Sequence, residues 1–252
     1  MLHYGLKLWT SNSRKIFERA AALYATNEVQ FVELYYDTRE TVDWPKLKCL
    51  ERVPVTIHHT HSHGWHEFVL GEEHLKMWDS SKKLADFFSS PIIVVHPGQA
   101  RDFEHFKDEL KKFDDPRIYL ENMAGLDIYG QNVFARTLDE LQQIRALKPI
   151  CFDFEKAIKS ACYQKIDYRD FILNCLKELE PVYFHISGGD KDSPVDEHAN
   201  LWEANFDIHW LGKTIRDYSH KRAVQLVFET PKIGNDLEND RRNIQFFKNA
   251  LI

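Results

Sequence analysis

The sequence predicts an α/β protein built as a (β/α)8 TIM barrel, and three observations lead to this fold class. Eight short runs rich in β-branched and aromatic residues recur along the 252-residue chain, with helical periodicity between them. The runs are nearly continuous in apolar residues, which is typical of parallel strands covered by helices. Eight repeats in about 250 residues is the size of such a barrel. The alternative is a doubly wound open sheet, but no GxGxxG follows the first run.

The elements follow one another as strand and helix throughout. The eight predicted strands cover residues 4–9, 29–36, 53–58, 92–96, 117–122, 150–153, 182–187 and 223–229. Apolar spacing predicts helices over 16–24, 103–113 and 168–179, and the last segment, 239–252, is predicted as the helix that closes the ring. Because no low-complexity linker or composition break interrupts the chain, we expect one barrel domain over residues 1–252.

Composition and charge restrict the function classes. Thirty-three Lys and Arg against 39 Asp and Glu give a net charge of −6, which disfavours broad adhesion to nucleic acid or to anionic membranes. The sequence shows neither a membrane-spanning run nor a signal peptide. Its four cysteines have no CxxC spacing, which favours reduced thiols over a disulfide framework. We therefore expect a cytoplasmic protein without a membrane partner.

Six predicted strands end in a group that can bind a metal ion, at the end of the barrel where functional groups collect. These groups are His58 or His59, His96, Glu121, Asp153, His185 and Glu229. Each alone is also consistent with a solvated or hydrogen-bonded polar side chain. Together, several carboxylates at one mouth repel one another unless a cation lies between them. Imidazole with carboxylate suits zinc, manganese or iron better than calcium, so the residues favour a dinuclear or larger metal site.

Four motifs in this order resemble endonuclease IV, the second family of apurinic-site endonucleases, within the xylose-isomerase-like barrel superfamily. They are His96-Pro97-Gly98, Glu121-Asn122 with Ala124-Gly125, Val195-Asp196-Glu197-His198, and Glu229-Thr230-Pro231. The resemblance spans most of the chain. Each motif is weak alone, whereas four in the right order on the right strands are specific.

The resemblance implies a metal cluster, with zinc as the expected ion and manganese as the alternative. Glu121 would bridge two ions, one completed by His58 and His96 and the other by Asp153, His185 and Glu229. Asp196 and His198 would supply part of a third site. The resemblance also implies hydrolysis of a phosphate ester by a metal-bridged hydroxide. Glu121, Glu229 and Lys156 are the candidate catalytic residues.

The chain departs from the family after strand six, where Asp-x-x-His is replaced by Asp153-Phe154-Glu155-Lys156. An ammonium group is a poor zinc ligand. Either the third ion is absent and Lys156 pairs with Asp196, or Lys156 supplies positive charge to a phosphate or leaving oxygen. A solvated loop lysine is the third interpretation.

A second departure follows strand three, where residues 58–66 contain five histidines. We expect His58 to be the ligand, with His59 as the fallback. His61, His63 and His66 are possible loop contacts.

The substrate stays open between nucleic acid and a small molecule. Binding DNA needs clustered Lys and Arg, and the mouth offers Arg39 and Lys232. The alternative function is a sugar or sugar-phosphate isomerase or epimerase with one metal ion, in which Glu121 and Glu229 exchange protons with substrate carbons.

A third function class is a barrel protein that binds a partner or ligand without catalysis. The electrostatic cost of clustering several acidic groups at one mouth argues against it. A mononuclear isomerase does not need His96 or the Asp196/His198 pair. These residues favour the hydrolase.

Overall fold

The barrel is closed by eight parallel strands in sequence order. The computed structural model describes residues 1–60, 72–98, 100, 102–113, 115–127 and 129–251. Every strand pairs with its neighbours along the chain, and β1 (Leu2–Trp9) also pairs with β8 (Val224–Phe228), with Leu6 opposite Phe228. His61, His63 and His66 lie outside the described residues. The predicted fold class is confirmed.

The observed elements alternate as the sequence predicts, and the strand ends differ from the predicted ones by at most two residues. The remaining strands are β2 Phe31–Tyr35, β3 Val55–His58, β4 Ile93–Val95, β5 Ile118–Glu121, β6 Ile150–Asp153 and β7 Tyr183–Ile186. The helices are α1 Arg14–Ala25, α2 Trp44–Leu47, α3 Glu72–Phe87, α4 Phe103–Leu110, α5 Leu138–Arg145, α6 Phe154–Gln164, α7 Tyr168–Leu179, α8 Ile208–Ser219 and α9 Glu238–Ala250. Two 3-10 helices, Lys48–Leu50 and Leu201–Glu203, complete the set. Among these described helices, none has both the length and the apolar character to cross a membrane.

Alternate strand residues fill the barrel interior, as the two-residue period of a strand requires. A small apolar cluster that includes Phe31, Val94 and Tyr183 packs there, separate from the larger core between strands and helices. Gly5 makes room for it, since a Cβ atom at this position would lie 2.4 Å from the Phe31 ring. Above the cluster, the Tyr183 hydroxyl donates to Glu33 Oε2 at 2.7 Å. The interior therefore changes from apolar to ionic towards the carboxyl ends of the strands.

The helices cover the outside of the barrel. α5 begins with a capping box formed by Thr137 and Glu140. α6 follows β6 without a loop because the Asp153 carboxylate caps its first turn, accepting from the Lys156 backbone N–H at 2.8 Å. α9 is the closing helix predicted from the sequence, and it packs its buried Phe247 against Phe228 of β8.

Candidate metal centre

The eight predicted ligands collect at the carboxyl end of the barrel. His58, Glu121 and Asp153 are the last residues of their strands, His96 and Glu229 each follow a strand directly, and His185 lies within β7. Asp196 and His198 come from the segment between β7 and α8, residues 187–207, which we call the β7–α8 segment. Five of the eight side chains are buried, while His96, Asp196 and His198 are partly exposed. The structure brings together residues that are up to 171 positions apart in sequence.

Glu121 lies at the centre of the group. Its Oε2 atom is 3.1 Å from His58 Nε2 and 2.8 Å from His96 Nε2. Its Oε1 atom is 3.1 Å from His185 Nδ1. Both oxygens of one buried carboxylate therefore face imidazole nitrogens, on the two sides where the family resemblance expects two ions.

A second group of ligand atoms forms on the Oε1 side. Glu121, Asp153, His185 and Glu229 each offer one atom, and these atoms all lie within 4.8 Å of one another. His185 Nδ1 is 2.9 Å from Glu229 Oε1. The buried Oδ2 atom of Asp153 has no hydrogen-bond partner. This carboxylate oxygen without a hydrogen-bond partner lies among imidazole nitrogen and other carboxylate oxygen atoms. Divalent transition metals bind donor atoms of these kinds, so these residues fit such an ion.

His58, His96 and Glu121 form a further group within the same limit of 4.8 Å. His59, the fallback ligand, faces away from the centre: its Nδ1 atom lies 2.8 Å from Ser81 Oγ, and its ring packs edge-on against Trp78. Of the two adjacent histidines, His58 is thus the one in the centre. His59 instead fixes α3 to the barrel.

Asn122 holds the two carboxylate-bearing strands in register. Its side-chain amide donates to the backbone carbonyl of Asp153 at 2.9 Å, and its Oδ1 atom accepts from the Asp153 backbone N–H at 2.6 Å. The Glu121-Asn122 pair thus combines a central carboxylate with the residue that places the neighbouring strand.

Two residues of the centre, Lys7 and Glu33, were missed in the sequence analysis. The Lys7 ammonium group contacts Glu229 Oε1 and lies 3.4 Å from Glu33 Oε1. Glu33 also lies 2.8 Å from His185 Nε2. The sequence did contain a signal for them. Each is a charged residue in the middle of an apolar strand, at a position where the two-residue alternation of the strand points the side chain into the barrel.

Lys156 lies in the centre and not on a solvated loop. It is 2 % exposed, in the first turn of α6. Its Nζ atom donates to Glu121 Oε1 at 2.5 Å and lies 3.2 Å from His96 Nε2. It is also 3.8 Å from Asp196 Oδ2. This burial excludes the solvated lysine. The nearest carboxylate is that of Glu121, with Asp196 farther away, and the other two interpretations stay predictions.

Asp196 and His198 touch the centre from outside. His198 Nε2 is 3.1 Å from Asp196 Oδ2, and His198 Nδ1 is 3.4 Å from Glu229 Oε2. Among the described residues, neither belongs to a group of three or more ligand atoms close enough to hold an ion. The two side chains that the resemblance assigns to a third site thus lie together, with the ammonium group of Lys156 3.8 Å from Asp196 Oδ2.

A second buried lysine fastens the β7–α8 segment to α6. Lys159 donates to the Asp190 carbonyl and to Glu197 Oε2, each at 2.6 Å, and lies 3.3 Å from Glu155 Oε1. Since Glu197 stands between Asp196 and His198 in sequence, this anchor positions both.

The pKa values divide the histidines of the centre. Burial would lower the pKa of His185, but the neighbouring Cys151, Glu229 and Glu33 raise it well above its ordinary value. Burial, aided by the charge of Lys156, lowers the pKa of His96 to about 3, and burial also lowers that of His58. Both imidazoles are therefore neutral at pH 7, as metal ligands must be. Burial would raise the pKa of Glu121, but the charge of Lys156 leads the effects that hold it well below its usual range. Burial raises the pKa of Asp153 to about 6.

The two cations that sequence analysis offered for DNA contacts are already paired. Arg39 forms a salt bridge with Asp37, with Nη2 2.5 Å from Oδ2 and Nε 2.8 Å from Oδ1. Lys232 contacts Asp240 Oδ1, donates to the Thr230 carbonyl at 3.1 Å and lies over the Trp9 ring. Neither presents a free charge at the mouth.

Comparison with known proteins supports the fold. No family model and no curated protein matches the chain. A solved structure of AsfvAP:AG shares 13% identity with it and covers 99% of each chain with a TM-score of 0.70. The 3-keto-D-glucoside 4-epimerase YcjR from E. coli shares 13% identity over 99% of this chain and 100% of its own, with a TM-score of 0.63. A xylose isomerase domain protein from Planctomyces limnophilus shares 12% identity over 99% and 96%, with a TM-score of 0.64. The fold is a xylose-isomerase-like TIM barrel.

Proposed function

We propose that the protein is a divalent-metal-dependent hydrolase of phosphate esters with an endonuclease IV-like centre. The observation that carries this proposal is that His96, Asp196 and His198 join the Glu121, Asp153, His185 and Glu229 quartet in one network of contacts. His96 lies 2.8 Å from Glu121 Oε2, and His198 lies 3.4 Å from Glu229 Oε2. A centre for a single ion needs only the quartet.

The ions would be held by two of the groups of ligand atoms that contain Glu121. His58 and His96 would complete one, and Asp153, His185 and Glu229 the other. When bound, divalent ions lower the pKa of water and stabilise negative charge on a phosphate. The protein keeps both imidazoles of the first group neutral, as metal ligands must be, and fixes Asp153 through Asn122.

A small phosphate ester suits this mouth better than duplex DNA. A protein that holds DNA neutralises several phosphates with Lys and Arg. Arg39 and Lys232 are already paired with acids, and the β7–α8 segment contains six acidic residues and one lysine. A long polyanion would meet this acidic rim, whereas a small ester needs to reach only the buried centre.

A sugar or sugar-phosphate isomerase or epimerase is the second candidate. It is favoured by the four quartet atoms, which lie within 4.8 Å of one another, and by the lack of a complete third site among the described residues. The structural neighbour YcjR is a 3-keto-D-glucoside 4-epimerase. In that chemistry Glu121 and Glu229 would move protons at carbons beside a carbonyl.

One experiment separates these candidates. The protein is loaded with Zn²⁺ or with Mn²⁺ and incubated with bis(4-nitrophenyl) phosphate, with abasic duplex DNA and with a panel of aldoses and ketoses. We expect release of nitrophenol and no sugar interconversion. Conversion of a sugar without ester hydrolysis would overturn the proposal in favour of the isomerase.

His96→Gln provides the matched variant, because only the hydrolase needs His96. We expect it to abolish ester hydrolysis. His105→Gln, on α4, is the control that should leave hydrolysis intact.

A further inference from the structure

Two lysine ammonium groups lie among the carboxylates of the candidate centre, and each is bound between two acids. Lys7 lies between Glu33 and Glu229, and Lys156 lies between Glu121 and Asp196. Their side chains are 7 % and 2 % exposed. A buried charge persists only where neighbouring opposite charges compensate for its lost hydration, so each lysine and its two acids form one electrostatic unit.

Lys7 connects three adjacent strands. It lies on β1, while Glu33 lies on β2 and Glu229 follows β8, the two strands that flank β1 in the barrel. The same two carboxylates flank His185, with Glu33 2.8 Å from Nε2 and Glu229 2.9 Å from Nδ1. Lys7 therefore fixes both acids that orient the one imidazole of the quartet.

Lys156 occupies the remaining side. Its Nζ atom lies 2.5 Å from Glu121 Oε1, 3.2 Å from His96 Nε2 and 3.8 Å from Asp196 Oδ2. These three atoms come from β5, the end of β4 and the β7–α8 segment. A cation at this point draws the segment that carries Asp196 and His198 onto the barrel.

We propose that Lys7 and Lys156 are resident cations of the centre, which hold its carboxylates at ligand spacing before any metal ion binds, and that Lys156 takes the place of a third ion. The carboxylates then approach one another in the metal-free protein without prohibitive repulsion. The first part of the inference needs no bound metal. The second part rests on the proposed metal-dependent function.

The first test measures thermal stability in EDTA for wild type, Lys7→Met, Lys156→Met and the control Lys177→Met, whose side chain is 79 % exposed. Methionine keeps much of the volume and removes the charge. We expect the midpoint to fall by roughly 10 °C in each buried variant, since unpaired buried acids remain, and to be unchanged in the control. Equal midpoints for all four proteins would overturn the inference.

A double variant distinguishes lost charge pairing from lost packing. Lys7→Met/Glu33→Gln removes both members of one ion pair, so we expect it to recover at least half of the midpoint lost in Lys7→Met. If Lys7→Met does not fold, the double variant still decides: a folded double variant supports charge pairing. A double variant that is no more stable than Lys7→Met, or that also fails to fold, would overturn the inference that Lys7 acts through charge pairing.

The second test counts zinc ions by native mass spectrometry in wild type and in Lys156→His. We expect the variant to bind one ion more, because a histidine would complete a set with Asp196 and His198. An equal count would overturn the replacement of a third ion by Lys156. A wild type that binds no zinc, together with a destabilised Lys7→Met, would overturn the proposed function and leave the resident cations standing.

Discussion

Glu121 is the residue on which the proposed centre depends most. It is fully buried, and its two oxygens face His58, His96 and His185. Glu121→Gln removes the negative charge of this carboxylate and leaves each of the two proposed ions with one ligand atom fewer. We expect zinc content measured by atomic emission to fall to background, and ester hydrolysis to fall by at least about 10³-fold, because transition-state charge would lose its stabilising ions. Glu104→Gln, an exposed position, is the control.

Unchanged zinc content in Glu121→Gln would show that this residue bridges no ions. Loss of hydrolysis with full zinc content would instead assign Glu121 to proton transfer, the role it has in the isomerase alternative.

Asp37 at the end of β2 gives a prediction about pH. Its side chain is 1 % exposed and accepts from Arg39 and from the Ser11 hydroxyl at 2.6 Å. The hydrogen bond from Arg39 is the main reason that the pKa of Asp37 lies well below its ordinary value. A lowered pKa in the folded state stabilises the protein above the unfolded value of about 3.9, and this contribution is lost as pH falls below it.

We therefore expect Asp37→Asn to lower the free energy of unfolding at pH 7 by about 1 kcal/mol, a modest amount because the arginine is mostly exposed. The difference from wild type should shrink as pH falls from 4 to 2, in thermal melts recorded at each pH. A difference that stays constant over this interval would assign the effect to packing.

At the residue scale, the sequence predicted which metal-binding side chains end the strands. It did not predict the ion pairs that Lys7 and Glu33 form with them. His58, Glu121 and Asp153 are recognisable because the end of a barrel strand is a known functional position. Lys7 and Glu33 lie inside apolar runs, two strands and one strand before the first predicted ligand in the chain. The pairing of Lys7 with Glu229 depends on barrel closure, which brings β1 beside β8 and is not a local property of either run.

The junction of β6 and α6 combines a helix cap with a proposed ligand in one side chain. Asp153 caps α6 through Oδ1 and leaves Oδ2 facing the centre. Asp153→Ala removes both roles, and Asp153→Asn keeps the cap. In EDTA we expect the alanine variant to lose about 1 kcal/mol of unfolding free energy, and the asparagine variant to match or exceed wild type.

The asparagine variant is expected to be stable because burial already disfavours the charged form of Asp153, whose pKa is raised to about 6. Both variants should lose one zinc ion in calorimetric titrations. Full zinc binding by Asp153→Asn would remove Asp153 from the ligand set, while equal stability of the two variants would show that the cap contributes nothing.

Elements were predicted well wherever apolar periodicity is strong, as in the eight strands and α9. α6 was not singled out, because its first turns contain Glu155, Lys156 and Lys159, which are typical of a solvated loop. These side chains are buried by the β7–α8 segment, about 40 residues downstream. A tertiary contact of this kind leaves no local sign in the helix itself.

For the whole molecule, we expect about two tightly held transition-metal ions per chain after gentle purification, one for each group that shares Glu121. Elemental analysis of protein expressed without added chelator measures this number. Less than one ion per chain would contradict the proposed centre. Dialysis against EDTA should abolish ester hydrolysis, and Zn²⁺ or Mn²⁺ should restore it.

The overall architecture followed from the sequence because eight evenly spaced strands leave few alternatives at this length. The substrate did not, because charge counts cannot say which cations are already paired. Arg39 and Lys232 are available to a polyanion in the sequence, and only the structure shows each bound to an acid.

The apolar cluster beneath Glu33 has a consequence for how substrate enters and product leaves. Phe31, Val94 and Tyr183 are fully or almost fully buried and pack in one cluster inside the barrel, and Gly5 leaves room for the Phe31 ring. Among the described residues, this packing separates the candidate centre from the amino-terminal end of the barrel, so reactants would reach it from the carboxyl ends of the strands and products would leave on the same side. Slow product release would then delay the next turnover, so the turnover rate would depend on release at the entrance as much as on the chemical step.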